Sequence, residues 1–145
     1  ATFVSMPVQS SEFDVATQGN TEVVNITEPV AARVTEGAIR QGIATVFVIG
    51  STAGITTTEF EPGLANHDLK AAFEGLAPED GRYRHEATWN DDNGHAHVRA
   101  TLLGPSLTVP VIAGKLQLGT WQQIVLIDFD TRPRTRRVIV QVIGE

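Results

Sequence analysis

Imidazole carries protons readily near neutral pH and is the commonest protein ligand for transition metals. This chain of 145 residues holds all four of its histidines between positions 67 and 97. Two of them, His95 and His97, are separated by a single alanine. In an extended backbone, residues two apart project to one side, so the pair would address one cation; on a helix the same rings diverge. His67 and His85 would complete a three- or four-nitrogen site if folding gathers them, leaving a position open for water or substrate. The competing readings are histidines scattered on the surface, or a histidine that serves only as acid or base.

Other residue types add to this set. Glu59 follows Thr56-Thr57-Thr58 and is a candidate general base or ligand for a hard cation, or simply a residue flanking the next helix. His67-Asp68 falls near the start of that helix, where the macrodipole alone would favour Asp68. Gly50-Ser51-Thr52-Ala53-Gly54 offers N–H groups and the hydroxyls of Ser51 and Thr52 to an anion, or is a plain turn. It is not a P-loop, since no Gly-Lys-Ser/Thr follows. Arg99, two residues past His97, has the planar fork to clamp a phosphate. Trp121, after Gly119-Thr120, would stack on a ring-shaped ligand or fill the core or a subunit interface.

Composition limits what these residues serve. A net charge of −6 argues against a general nucleic-acid binder, because phosphate backbones are held mostly by lysine and arginine. The basic run Arg132, Arg134, Arg136 and Arg137 reads as a solvated turn and strand start. There is no cysteine, hence no thiolate for zinc or for nucleophilic catalysis. No apolar run approaches the roughly 20 residues of a membrane-spanning helix. Ala1-Thr2-Phe3-Val4 carries no charged leader. The expectation is one soluble, cytoplasmic domain over residues 1–145.

The elements that must position this chemistry follow from periodicity and turn signals. Strands are predicted over 2–8, around 13–16, over 22–26, 43–49, 55–60, 106–111, 120–129 and 136–143. Thr27 is the expected N-cap of a first helix carrying Val30, Val34, Ala38 and Ile39, with Gly42 as its stop. A second helix carries Leu64, Leu69, Ala72, Phe73 and Leu76 and ends at Pro78. Residues 78–94 read as a long polar loop, and 97–103 as a short helix ended by Gly104-Pro105. Strands joined by short turns predict an α+β fold: two layers, a largely antiparallel sheet packed with two main helices.

The stretch Asn93-Gly94-His95-Ala96-His97-Val98-Arg99-Ala100-Thr101-Leu102-Leu103-Gly104-Pro105-Ser106-Leu107-Thr108-Val109-Pro110-Val111 closely resembles the signature of the YjbQ-like family, also described as secondary thiamine-phosphate synthases. Gly114-Lys115-Leu116, Leu118-Gly119-Thr120-Trp121-Gln122 and the terminal Val140-Gln141-Val142-Ile143-Gly144-Glu145 continue the likeness. Ser51-Thr52-Ala53, Glu59, Glu61-Pro62, His67-Asp68 and Tyr83-Arg84-His85 fall in the expected order upstream.

The resemblance implies a homotrimer with histidines near subunit boundaries, often with a bound metal, here zinc or magnesium. It also implies the joining of a pyrimidine diphosphate to a thiazole phosphate with release of pyrophosphate. On that footing Glu59, His67, His85 and His97 are the expected catalytic groups. Ser51, Thr52, Arg99, Lys115, Thr120 and Trp121 are the expected substrate contacts, and His85, His95 and His97 the expected metal ligands. Two positions depart from the pattern: many members carry histidine where this chain has Gly50, and asparagine where it has Thr58. The alternative is a trimeric protein that binds a metal or ligand in the same pocket without catalysis.

Overall fold

The computed structural model describes residues 6–145. In chain order its elements are β1 (Val8–Thr17), β2 (Glu22–Asn25), α1 (Thr27–Glu36), β3 (Gly42–Ile49) and β4 (Ala53–Glu59). A π-helical turn (Leu64–Asp68) then runs into α2 (Leu69–Leu76), followed by α3 (Arg84–Trp89) and α4 (Gly94–Leu103). The chain ends with β5 (Ser106–Ile112), β6 (Lys115–Leu116), β7 (Gln122–Asp128) and β8 (Arg134–Gly144). Every paired strand is antiparallel to its neighbour. The α+β, antiparallel expectation is met, with the strands divided between two sheets of order β1-β8-β3-β5-β6 and β2-β7-β4.

Alternation decides which side chains lie between the sheets. Ala44, Val46 and Val48 of β3, and Val138, Val140 and Val142 of β8, turn inward and are buried. They meet Ile124 and Leu126 of β7, Ile55 of β4, and Val30 and Val34 of α1 in one core. In β7 the alternation disappears, because Ile124 through Phe129 are all buried. Its second face, Val125 and Ile127, joins Phe129 against Ala96 and Ala100 of α4 and Phe73 of α2. A strand covered on both faces needs a continuous apolar run, and Ile124–Ile127 supplies it.

The outward residues of the larger sheet are left uncovered. Val8, Ile143, Ile43 and Pro110 are successive cross-strand partners, so four exposed apolar residues form one row across β1, β8, β3 and β5. Phe47 and Ile49 are exposed on the same face of β3.

Several boundaries differ from expectation, each for a local reason. Most of the strand expected over 2–8 lies outside the described residues, and the segment around 13–16 belongs to the longer β1. Helix α1 stops at Glu36, with Gly37 already extended, and Gly42 opens β3 instead. Thr27 is inside α1, whose N-cap is Ile26 and carries no side-chain capping bond; Asn25, one residue earlier, accepts from the Thr27 N–H at 3.0 Å through its Oδ1. The loop expected over 78–94 contains α3.

Candidate functional site

Helix α4 begins at Gly94, three residues earlier than its apolar spacing suggested, because the Glu86 carboxylate of α3 accepts from the Gly94 N–H. A Cβ on residue 94 would lie 2.4 Å from that carboxylate and 2.5 Å from the Tyr83 side chain. Only glycine lets α3 approach the start of α4 so closely. The consequence for the histidines is direct. With His95 and His97 both on a helix, their rings diverge by about 200°. His95 turns inward, is buried, and lies 6.3 Å from the Tyr83 ring. Burial, then the positive charge of Arg99, holds its pKa below the ordinary histidine value. His97 turns the other way and meets His85 of α3, with ring centroids 4.4 Å apart.

Behind this pair lies a polar network. The His85 Nε2 is 3.1 Å from the Asn93 Oδ1, and the Asn93 Nδ2 donates to Asp130 Oδ1 at 3.4 Å. Asp130 is buried, and burial pushes its carboxyl up. The Thr131 N–H, the Thr52 hydroxyl, Arg134 and Asn93 outweigh that and hold it below its ordinary value. An ionised carboxylate only accepts, so the Asn93 amide must turn its NH2 toward Asp130 and its oxygen toward His85. The neutral His85 ring is therefore the Nε2–H tautomer, with the Nδ1 lone pair left for chemistry. In 15N-labelled protein held above the ring's titration, the His85 Nε2 should give the protonated-type resonance. Asn93→Ala should convert this to a mixture, and a His85 protonated on Nδ1 in the unmodified protein would refute the assignment.

The network continues inward. Arg136 donates from Nε to Asp128 Oδ2 at 2.7 Å and from Nη2 to Asp128 Oδ1 at 2.9 Å. Its Nη2 also donates to the Thr52 hydroxyl at 2.6 Å, and that hydroxyl donates to Asp130 Oδ2 at 2.9 Å. Arg134 donates from Nε to Asp130 Oδ2 at 3.0 Å. The arginine run is thus no uniform solvated strand start. Arg136 is buried and Arg134 is half-committed to a buried carboxylate, while Arg137 stays at the surface opposite Asp14 and Glu12. Asn93, Asp128 and Asp130 were not singled out from the sequence as functional, and Arg136 was marked only as part of the C-terminal basic run. The readable signal was the spacing: Asp128 and Asp130 close an apolar run, and Arg134 and Arg136 repeat the same two-residue interval just after.

The remaining expected residues fall elsewhere. Arg99 is no open phosphate clamp: it donates to the Ala77 carbonyl, the Thr21 hydroxyl and Glu74, and is 4% exposed. Its function is to tie α4 to the end of α2 and the turn before β2. His67 is exposed on the π-helical turn, and Lys115 is exposed on the β5–β6 hairpin. Thr52 is buried in the network, whereas Ser51 beside it is exposed. Trp121 is 73% exposed and not in the core of the chain. With Thr120, Glu59, Phe60 and Asn25 it lines a depression of about 340 Å³. That depression lies at the far end of β4 from Ser51 and Thr52, about 20 Å along the strand.

The metal ligand set is not assembled as expected. Among the described residues, no three His, Asp or Glu side chains are grouped to share a cation. The chain unites His85 with His97, while helical geometry sends His95 into the interior.

Comparison with known proteins places this arrangement. Residues 11–145 match the family described as UPF0047 protein YjbQ-like. A UPF0047 protein of Methanothermobacter thermautotrophicus is 41% identical over 142 residues, covering 98% of this chain and 96% of the relative. A solved structure from Sulfolobus solfataricus P2, described as a YbjQ-like protein of unknown function, superposes with a TM-score of 0.91. It is 36% identical and covers 97% of this chain and all of the other. A hypothetical protein from Aeropyrum pernix K1 gives a TM-score of 0.87 at 31% identity, over 94% of this chain and 99% of that one.

Proposed function

The chain belongs to the YjbQ-like UPF0047 family, and from that premise we propose that it is an enzyme acting on a phosphorylated small molecule, with His85 and His97 as its proton-carrying pair. The observation that carries this reading is the 4.4 Å approach of two half-buried imidazoles, one of them oriented by Asn93 and a buried carboxylate. A positioned imidazole is the usual general acid or base, and orientation through a second group is what keeps its active nitrogen aimed.

The reaction that fits the resemblance joins a thiazole phosphate to a pyrimidine diphosphate. The thiazole nitrogen forms a bond to the pyrimidine methylene carbon, and the bond from that carbon to pyrophosphate oxygen breaks. Negative charge then develops on the departing pyrophosphate, where a protonated imidazole stabilises it by a charge-assisted hydrogen bond. No step here calls on a metal. The test is turnover of both thiamine precursors by the purified protein, compared with a His85→Ala/His97→Ala variant. Turnover no higher than in the variant removes the reaction, and ligand binding without turnover points to the non-enzymatic alternative.

The proposal includes a homotrimer. Two features support self-association: the uncovered row Val8–Ile143–Ile43–Pro110, and the separation of Glu59 from Ser51 and Thr52 at opposite ends of β4 within one chain. Light scattering should return three times the chain mass. Ile43→Glu with Ile143→Glu should return the mass of one chain, and a monomeric wild type ends this part of the reading.

A further inference from the structure

We propose that the notch over Gly50 is an oxyanion site, in which Arg136 Nη1 and the Ser51 hydroxyl receive the phosphate group of the substrate. Its argument begins with an arginine that is nearly all inside and only partly used. The Arg136 side chain is 8% exposed. Its Nε and Nη2 are bonded to Asp128 and Thr52. Its Nη1 has no acceptor among the described residues, yet no fully buried side-chain nitrogen or oxygen there lacks a partner. Nη1 therefore keeps some contact with solvent, and it lies directly beneath the position a Gly50 side chain would take.

Glycine leaves that position open. An ideal Cβ on residue 50 would stand 2.6 Å from Arg136 Nη1, with Cζ the next atom at 3.7 Å. The backbone there has φ +137°, a conformation that side chains strongly disfavour. Any other residue at position 50 would have to strain the chain and displace or cover the guanidinium. Gly50 and Ser51 also border a depression of about 180 Å³ whose other lining residues are Ala53, Ala100, Thr101 and Pro105, with Arg136 outside its lining. Its walls contain no carboxylate, and Ser51 is exposed at its edge.

The chemistry selects an oxygen-rich anion. Asp128 and Asp130 balance Arg136 and Arg134, so the site offers a directed N–H and not a strong positive field. Such a donor favours a strong acceptor that several groups can share, as phosphate oxygens are. Position supports the same ligand. Thr101 follows His97 by one helical turn, and its hydroxyl donates to the His97 carbonyl at 2.7 Å. The notch therefore adjoins the His97 face of α4. This assignment rests on the proposed function only for identifying the anion as part of a substrate.

The test is a titration of inorganic phosphate into 15N-labelled protein at constant ionic strength, followed at Gly50, Ser51, Thr101 and the Arg136 guanidinium. Saturable shifts at these positions are expected, weakened at least tenfold by Gly50→Ala and severalfold by Ser51→Ala. A small phosphomonoester titrated in parallel should bind more tightly than phosphate itself. Absence of saturable shifts at the notch, or unchanged affinity in the variants, overturns the site. A phosphomonoester that binds no better than phosphate overturns its assignment to a substrate. Should Gly50→Ala not fold, Ser51→Ala carries the decision. Phosphate binding without turnover would spare this site and remove the enzymatic reading; turnover without phosphate shifts at Gly50 would do the reverse.

Discussion

Asp128→Ala is expected to lower the unfolding free energy by roughly 3–5 kcal/mol, the usual cost of leaving a buried charge without its partner. Asp128 is fully buried and accepts from Arg136 twice, from the Thr17 hydroxyl at 2.6 Å and from the Asp130 N–H at 3.0 Å. Removing it strands the Arg136 guanidinium inside the protein and unties the passage from β7 to β8. Arg137 provides the contrast one residue along. It faces Asp14 and Glu12 at 3.5 and 3.9 Å, and all three side chains are more than half exposed. Arg137→Ala is therefore expected to cost no more than about 1 kcal/mol. Urea unfolding at neutral pH and one protein concentration measures both. Similar midpoints for the two variants would show that the buried pair is not the stabilising unit described. Replacing both partners together, as Asp128→Leu with Arg136→Met, should restore much of the loss, because no charge is then left unpaired.

His97→Ala and His85→Ala are each expected to reduce turnover by about 10²–10⁴-fold, the contribution typical of general acid–base catalysis. If the rings act as a unit, the double variant should lose little more than either single one. Fully additive losses would mean two independent roles. Both side chains are only half-buried, so the variants are expected to keep the wild-type circular dichroism spectrum and an intact cooperative transition. His67→Ala and Arg99→Ala divide the remaining roles. His67 is exposed on its turn and should leave turnover unchanged. Arg99 is buried among Ala77, Thr21 and Glu74, so its loss should appear first as instability.

Much of the fold was legible because periodicity acts locally. The strands over 43–49 and 136–143 and the spacing of Val30 and Val34 were readable from the residues, but the nearly continuous apolar run Ile43–Ile49 suited a strand covered on both faces, whereas Ile43, Phe47 and Ile49 are exposed in this chain. The ends of elements were harder. Gly42 resembles a helix stop, yet it opens a strand, since a glycine serves both purposes and the choice depends on what packs there. Helix α3 hid in a polar stretch because six residues with no buried side chain leave no periodic trace.

The site divides in the same way. Residue type and crowding already marked His85 and His97, and the departure at Gly50 was visible as a missing side chain. What the sequence could not convey was direction. Whether His95 joins His97 depends on two or three residues of helix at the start of α4, fixed by Glu86 from another helix. Whether an arginine is solvated or buried depends on which strand Asp128 ends. The linear order therefore determined the family, the strand and helix faces and the inventory of reactive groups. Tertiary packing alone decided which of those groups meet, because contacts between residues far apart in the chain set the aim of each side chain and the charge that balances it.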